Sequence, residues 1–279
     1  MELNVNGRIL SLETPVIMGI VNFTEDSFYD GGRYMDEQAF LNRVQKVVSE
    51  GADILDLGAI STRPGALDLD EETEKTRIRE CLGTILRHFP DIPVSIDTWR
   101  ASVAEIAIGE GAAMINDISG GTFDSGMIPL IGKLKVPYCL MHTTAKPESM
   151  QLNTRYDSII SDILYFLAKQ IDELKNAGAN DIMIDPGFGF GKTLEQNYFL
   201  MNNLESFSVL DLPLLVGISR KSMIYNLLGI KPDDALIGTT VLNTVALQKG
   251  AHILRVHDVK EAKEVVRIVE QLKKPLLTA

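Results

Sequence analysis

Short runs of hydrophobic residues, nearly free of polar positions, recur along the chain at regular intervals. Such continuous hydrophobicity over so few residues is typical of parallel strands that are buried on both faces. The pattern therefore predicts eight buried strands. They lie at residues 15–21, 52–57, 93–96, 112–115, 137–141, 181–184, 212–217 and 252–256.

Longer segments with hydrophobic positions at helical spacing separate these runs. One helical face is formed by Phe40, Val44, Val47 and Val48. Gly51 follows this face and supplies a stop signal. Residues 156–178 and 259–274 repeat the pattern. Strands and helices are thus predicted to alternate along the chain.

The alternation favours one architecture. Eight strand–helix units in about 250 residues match an α/β fold of the (β/α)8 barrel type. An Asn-Gly pair within residues 3–10 predicts a β-hairpin before the first barrel strand. No low-complexity or Pro/Gly/Ser-rich linker interrupts the chain, so we predict a single domain over residues 1–279. A doubly wound sheet is the alternative, but eight units without a domain break favour the barrel.

Composition narrows the functional classes. Cys81 and Cys139 are the two cysteines, which argues against a disulfide framework or a cysteine zinc site and favours a reducing cytoplasm. The first 15 residues carry charges and resemble no signal peptide, and no run approaches the roughly 18 apolar residues of a membrane span. The net charge of −11 argues against nucleic-acid binding. An anionic ligand would need local positive charges.

Polar residues stand at the ends of all the predicted strands. In (β/α)8 barrels, the catalytic and binding residues lie where the strands end and the following loops begin. One such residue alone would most often be a helix cap or a turn residue. A complete set indicates a binding site. The set is Asn22, Asp56, Asp97, Asn116, His142, Asp185, Ser219 with Lys221, and Arg255 with His257.

The end of the last predicted strand carries two basic residues, Arg255 and His257. Ile253, Arg255 and His257 share one face of the last strand, and buried charges there need a counter-charge. An internal ion pair with Asp56 or Asp97 is one interpretation. An anion clamp is the other, and we favour it because it supplies local positive charge.

The seventh strand is followed by a Ser-Arg-Lys-Ser stretch that predicts an anion site. Ser219 is expected to cap a helix beginning near Arg220, with the backbone N–H groups of Lys221 and Ser222 pointing outward. Two long glycine-rich loops, at 22–32 and 58–66, are expected to act as lids.

A glycine-rich turn at 185–193 looks like a nucleotide-binding loop. Its Gly-Lys-Thr ending fits that motif, but Pro186 stands where the first glycine belongs. A P-loop ATPase is therefore the weakest interpretation.

Taken together, these motifs resemble those of the dihydropteroate synthase family, and their order and spacing make the resemblance specific. They cover nearly the whole chain. The motifs are IMGIVNFTEDSFYDGG, GADILDLGAISTRPGA, SIDT, INDISGG, DPGFGFGKT, VGISRKSMI and GTTVLNTVALQKGAHILRVHDV.

The resemblance implies an activity. It is the Mg²⁺-dependent condensation of 6-hydroxymethyl-7,8-dihydropterin pyrophosphate with p-aminobenzoate to 7,8-dihydropteroate and pyrophosphate, by a dissociative, SN1-like route. It also implies a homodimer. The matching positions imply the metal ligand Asn22 and the catalytic residues Asp97, Lys221, Arg255 and His257. They imply as substrate-binding residues Thr62, Arg63, Pro64, Asp97, Asn116, Asp185, Phe190, Lys221, Ser222, Arg255 and His257.

The chain also departs from the family pattern. Phe23, Glu25 and Tyr29 replace the more usual Val, Pro and Ser of the first loop, which is expected to change loop geometry and not the reaction. No extra residue follows Phe28, so sulfonamides are expected to compete at this site. A methyltetrahydrofolate:corrinoid methyltransferase and a non-catalytic pterin-binding barrel are the alternatives. The basic motifs around Lys221 and Arg255 argue against both.

Overall fold

The structure, a computed structural model, describes residues 1–22, 28–29, 34–35, 37–59 and 69–274. Its strands are β1 Glu2–Val5, β2 Arg8–Ser11, β3 Val16–Asn22, β4 Phe28–Tyr29, β5 Tyr34–Met35, β6 Ile54–Gly58, β7 Val94–Asp97, β8 Met114–Asp117, β9 Tyr138–Met141, β10 Ile182–Asp185, β11 Leu215–Val216 and β12 Ile253–Val256. Its helices are α1 Glu37–Ser49, α2 Glu71–His88, α3 Ala101–Gly109, α4 Met127–Leu134, α5 Ile159–Ala177, α6 Leu194–Asn202, α7 Ser222–Leu228, α8 Leu236–Gln248 and α9 Val259–Lys273.

Eight parallel strands form the barrel predicted from the sequence. Their order is β10-β9-β8-β7-β6-β3-β12-β11. A parallel bridge between Ile184 and Leu214 links the two ends of this sheet. There the Ile184 N–H donates to the Pro213 carbonyl over 2.9 Å. The (β/α)8 architecture is therefore confirmed, and each strand lies within its predicted run or extends at most two residues beyond it.

Strand alternation sorts the side chains into two cores. Odd and even positions of a strand face opposite sides, so one set meets the helices and the other fills the barrel. On β6, Leu55 and Leu57 pack in the large core under the helices, whereas Ile54 packs inside the barrel. The lower barrel interior is apolar. Its lining includes Met18, Ile54, Met114, Cys139, Met183, Leu215 and Ile253.

The amino-terminal hairpin closes the lower end of the barrel. β1 and β2 pair antiparallel around Asn6 and Gly7, which have φ of 51° and 78°. Positive φ at both turn positions is the geometry that an Asn-Gly pair favours, and it confirms the predicted hairpin. Leu3 and Val5 of the hairpin join the apolar cluster inside the barrel. Ligands therefore have access to the opposite end, where the strands finish.

The predicted helices are present with small changes at their ends. α1 buries Phe40, Val44 and Val47, and Gly51 after it has φ of 98°. α5 ends before Gly178, which has φ of 104°. Across the residues that the structure describes, no helix has the length and apolarity needed to cross a membrane. The single domain over residues 1–279 stays a prediction.

The two predicted lid loops lie mostly outside the described residues. β4 lies within the first loop and pairs antiparallel with β5, just beyond it, so that Phe28 lies opposite Met35. In the second, the described residues end at Ala59 and begin again at Leu69.

Candidate active site

A polar layer lies above the apolar interior of the barrel. Because inward positions recur every two residues, each member lies two positions after an inward-facing residue of the lower barrel, which is apolar on every strand of this layer except β7, where it is Ser95. Asp56 thus follows Ile54, and Asp185 follows Met183. These side chains are buried or nearly so. The layer consists of Asp56, Asp97, Asn116, Asp185 and Arg255, all predicted from the strand ends.

Arg255 holds this layer together. Its Nε lies 2.6 Å from Oδ2 of Asp56, and its Nη2 lies 2.6 Å from Oδ2 of Asp97. Asn116 donates to Asp56 Oδ2 over 3.1 Å. The internal ion pair, which was the less favoured interpretation of the sequence, is therefore present, because a guanidinium inside a barrel needs counter-charges. Contact between Arg255 and an anion stays a prediction.

Two carboxylate oxygens in this layer have no hydrogen-bond donor in the described part of the chain. Asp56 Oδ1 and Asp97 Oδ1 are buried and accept no hydrogen bond from any residue that the structure describes. Burial raises the pKa of Asp97 to about 7, and the neighbouring Arg255 opposes that rise. A buried acceptor without a donor is costly. A ligand with N–H groups would supply the missing donors.

Gly217 lies beside Asp185 and Arg255. A side chain at Gly217 would begin 3.7 Å from Arg255 Cβ and 3.9 Å from Asp185 Oδ2, so any larger side chain at this position would lie against these two residues. Asp185 Oδ1 accepts from the Gly187 N–H over 2.7 Å. Burial raises the pKa of Asp185, and Lys221 opposes this.

The glycine-rich turn after Asp185 is braced from inside by a lysine. Lys192 is 3% exposed, and its Nζ donates to the carbonyls of Gly187 and Phe190 over 2.8 and 3.0 Å. The same Nζ lies 3.2 Å from Nδ1 of His142. Burial lowers the pKa of Lys192 to about 7, and burial and then Lys192 lower that of His142 to about 2. The Gly-Lys-Thr stretch thus stabilises the turn internally.

We expect Gly187→Ala to destabilise the protein far more than Gly7→Ala. The two glycines have similar φ, 74° and 78°, so both variants carry a strain of about 1–2 kcal/mol. At Gly187 the new Cβ would lie 1.9 Å from the His142 carbonyl oxygen, whereas nothing lies within 4 Å at Gly7. Overpacking adds about 1–3 kcal/mol or more. Urea unfolding of both variants measures the difference, and equal losses would contradict the prediction.

Lys221 and an apolar cluster form the rim above the polar layer. Lys221 Nζ donates to the Phe188 carbonyl and lies 4.6 Å from the centre of the Phe190 ring. Burial lowers the pKa of Lys221 to about 8, and Asp185 opposes this. The cluster contains Trp99, Ile118, Met141, Met150 and Phe190. The predicted slot residue Phe190 therefore lies beside the predicted ring-binding residue Lys221.

The start of the helix after Ser219 differs from the prediction. α7 begins at Ser222, and Lys221 precedes it without capping it through its side chain. Arg220 has φ of 56° and pairs with Asp258, with two contacts of 2.9 Å. The Lys221 N–H donates to the Ile218 carbonyl, so it does not point outward. Ser219 as the helix cap was wrong, because the left-handed turn at Arg220 delays the helix.

Ser219 instead contacts His257. Its Oγ lies 3.1 Å from both the backbone N and the ring Nδ1 of His257. Burial, and next the charge of Arg255, lower the pKa of His257 to about 4. His257 is therefore neutral at neutral pH, so it could meet an anion as an N–H donor and would not bring a positive charge.

Asn22 ends β3, which pairs with β12. Among the described residues, no group of three or more His, Cys, Asp or Glu side chains is arranged to hold a metal. Mg²⁺ usually keeps several waters and binds phosphates with few protein ligands. One amide oxygen from Asn22 fits an ion that arrives with a phosphate ligand, and does not fit a site made by the protein alone.

Thr62, Arg63 and Pro64 lie outside the described residues. The segment that follows them, from Leu69 to the start of α2, is held by the residues that follow Asp97. Arg100 donates to the Leu69 carbonyl over 2.7 Å and pairs with the buried Glu74, to which Thr98 also donates. This anchor was not predicted from the sequence. Its signal was an acidic residue, Glu74, at helical spacing with the buried Ile78 of α2.

Known proteins share this architecture. A family model described as "Pterin binding enzyme" matches residues 18–257. The dihydropteroate synthase of Clostridium beijerinckii is 43% identical over 261 residues, which is 92% of this chain and 94% of that protein. The structure of the Yersinia pestis dihydropteroate synthase with a sulfonamide drug complex has a TM-score of 0.90 and 39% identity, covering 98% and 99% of the two chains.

A structure from Xanthomonas albilineans holds the product. It is a dihydropteroate synthase in complex with 7,8-dihydropteroate, with a TM-score of 0.86 and 33% identity, covering 99% of this chain and all of that one. These similarities extend over the barrel and its polar layer. The chain therefore belongs to the dihydropteroate synthase family of pterin-binding enzymes.

Proposed function

We propose that this enzyme joins 6-hydroxymethyl-7,8-dihydropterin pyrophosphate to p-aminobenzoate, giving 7,8-dihydropteroate and pyrophosphate. The observation that carries the proposal is the buried polar layer, in which one carboxylate oxygen of Asp56 and one of Asp97 lack a donor among the described residues. It occurs in a chain that is 43% identical to a dihydropteroate synthase over nearly its full length.

The pterin ring would lie on the polar layer. Its edge alternates hydrogen-bond donors and acceptors, so Asp97, Asn116 and Asp185 can read its amino and ring N–H groups. Lys221 supplies a cation near Asp185 for a ring acceptor. Gly217 places no side chain between a bound ring and its neighbours Asp185 and Arg255. Losing one of these partners would leave a buried polar group unpaired, at a cost of about 1–3 kcal/mol.

The pyrophosphate would lie towards β12 and β3. Arg255, His257 and Arg63 are the proposed anchors, with His257 acting as a neutral donor. Asn22 would provide the protein ligand of a Mg²⁺ ion carried by the phosphates. When bound, that ion neutralises charge on the leaving group.

The p-aminobenzoate would occupy the rim. We assign its carboxylate to Ser222, at the start of α7, and its ring to a slot beside Phe190, with Thr62 and Pro64 on the second loop. A sulfonamide has a similar shape and would compete there, as expected for a relative of the Yersinia pestis enzyme with its drug complex.

We propose a dissociative, SN1-like order of events. The bond between the pterin methylene carbon and the pyrophosphate oxygen breaks first, and its electron pair leaves with pyrophosphate. The fixed carboxylate of Asp97 stabilises the resulting pterin cation. The lone pair of the arylamine nitrogen then forms the new C–N bond, and that nitrogen releases a proton. Closure of the two loops excludes water during this sequence.

The decisive test is an assay with both substrates. Pyrophosphate release is measured with and without p-aminobenzoate while dihydropteroate is followed by chromatography, with added Mg²⁺ or with a chelator. Dihydropteroate formed with an equal amount of pyrophosphate establishes the synthase, and loss with the chelator establishes the metal requirement. Tight pterin binding without either product would favour a corrinoid methyltransferase or a non-catalytic pterin binder.

We also propose that two copies pair through α7 and α8. These helices touch, since a side chain at Gly238 would begin 2.3 Å from Ile224 Cγ2. They expose a set of large apolar side chains, and grouped apolar exposure marks an interaction surface. The set is Leu227, Leu228, Ile237 and Val241.

We expect Val241→Glu to convert the dimer into a monomer, because a charge in an apolar interface is left without a partner. Tyr165→Glu, at another exposed apolar position on α5, should leave the dimer unchanged. Sedimentation velocity of both variants measures this. A wild-type protein that sediments as a monomer, or a dimeric Val241→Glu variant, would contradict the proposed surface.

A further inference from the structure

The contact between Ser219 and His257 constrains where the histidine carries its hydrogen. Ser219 is 5% exposed, and its hydroxyl oxygen lies 3.1 Å from two nitrogens of the same residue, the backbone N and the ring Nδ1. The backbone N–H can act solely as a donor, so it donates to Oγ. The remaining contact involves the hydroxyl hydrogen and the ring.

The two tautomers of a neutral histidine fit this contact unequally. With hydrogen on Nδ1, two donors would point at Oγ, and the Ser219 hydroxyl hydrogen would have no acceptor among the residues that the structure describes. With hydrogen on Nε2, the hydroxyl donates to Nδ1, and the backbone N–H, the hydroxyl and Nδ1 are all paired. Buried polar groups are seldom left unpaired. The second tautomer is therefore favoured.

The charges around His257 favour its neutral form. Burial is the largest factor that disfavours a second proton on the ring. The positive charges of Arg255, Arg43 and Arg220 also disfavour it, whereas Asp258 favours it. A neutral imidazole has one N–H, so the tautomer decides which ring nitrogen can donate to a ligand. The nitrogen away from Ser219 is Nε2.

We infer that Ser219 is a positioning residue that fixes His257 with its hydrogen on Nε2 and thereby aims one N–H donor at an anion. The identification of that anion as pyrophosphate rests on the proposed function. Ser219 acts through His257 and has no other assigned role in the reaction. The neighbouring Arg255 supplies positive charge, and His257 supplies one hydrogen bond of fixed direction.

Nuclear magnetic resonance of the ring nitrogens tests the inference without substrate. The chain has four histidines, so the His257 signals can be assigned with a His257→Gln variant. At neutral pH we expect the wild-type ring to carry hydrogen on Nε2, and Ser219→Ala to give a mixture of tautomers. Ser208→Ala, which removes an exposed hydroxyl bonded within its own turn, is the matched control. Hydrogen on Nδ1 in the wild type would overturn the inference.

Calorimetry with pyrophosphate and Mg²⁺ separates this inference from the proposed function. We expect Ser219→Ala to weaken pyrophosphate binding about tenfold, the effect of one aimed hydrogen bond, and Ser208→Ala to leave it unchanged. A tautomer change with unaltered pyrophosphate affinity would overturn the positioning role. A tautomer change in a protein whose wild type binds no pyrophosphate would support the fixed tautomer and count against the proposed substrate.

Discussion

Arg255→Met is expected to lower the free energy of unfolding by about 3–5 kcal/mol, the range for breaking a buried ion pair. Arg255 lies 2.6 Å from each of two carboxylates, Asp56 and Asp97, inside the barrel. Methionine keeps most of the side-chain volume but leaves both carboxylates without their counter-charge. Chemical denaturation at neutral pH measures the loss, and the remaining folded enzyme should be inactive.

The loss in free energy of unfolding caused by Arg255→Met should also depend on pH. Burial raises the pKa of Asp97 to about 7 even with Arg255 opposing it, so removal of Arg255 raises it further. A carboxyl with a raised folded-state pKa contributes stability at low pH and loses it as pH rises through that value. The difference between variant and wild type should therefore be smallest in acid and grow as pH is raised through 7.

Arg79→Met is the matched control. Arg79 pairs with Glu110 over 2.8 Å, but both side chains are more than a third exposed. Exposed pairs contribute little because water screens them. A loss for Arg255→Met as small as for Arg79→Met would contradict the role of Arg255 in holding the polar layer. Partial recovery on adding Asp56→Asn to Arg255→Met would support it.

Asp97→Asn is expected to lower kcat about 100- to 1,000-fold, the usual effect of removing one preorganised group that stabilises charge. Asparagine keeps the shape of the side chain and an acceptor oxygen but removes the negative charge proposed to stabilise the pterin cation. Pterin affinity should change much less than turnover. Steady-state kinetics together with pterin calorimetry separate the two quantities.

Asp53→Asn provides the control for this substitution. Asp53 lies at the opposite end of the barrel, where its Oδ2 accepts from the Ile17 N–H over 2.7 Å and pairs with Lys263 over 2.6 Å. We expect unchanged turnover for that variant. Full turnover in Asp97→Asn with normal pterin binding would remove the electrostatic role proposed for Asp97.

The fold could be predicted because its signals are local. Hydrophobic runs such as residues 93–96 and 181–184 mark buried strands, and Gly51 and Gly178 mark helix ends. The alternation of strands and helices then leaves few architectures. The Asn-Gly turn of the hairpin is equally local, because both of its residues must adopt positive φ.

The partners within the site could not be chosen from the sequence, because they are set by packing. Arg255 and Asp56 are 199 positions apart, so an ion pair between them was only one of the two interpretations that the sequence allowed. The start of α7 depends on the left-handed conformation of Arg220, which Asp258 helps to hold. Lys192 matched a phosphate-binding motif locally, although the fold turns its charge inward.

The apolar cluster on the rim has a spectroscopic consequence. Trp99 is the single tryptophan of the chain, two positions after Asp97, and it packs edge-on against Phe123 with the Arg100 guanidinium 5.4 Å from its ring. All of the indole fluorescence of the protein therefore originates beside the proposed pterin pocket. Stopped-flow recordings of that emission follow the arrival of each substrate in real time, on unlabelled enzyme.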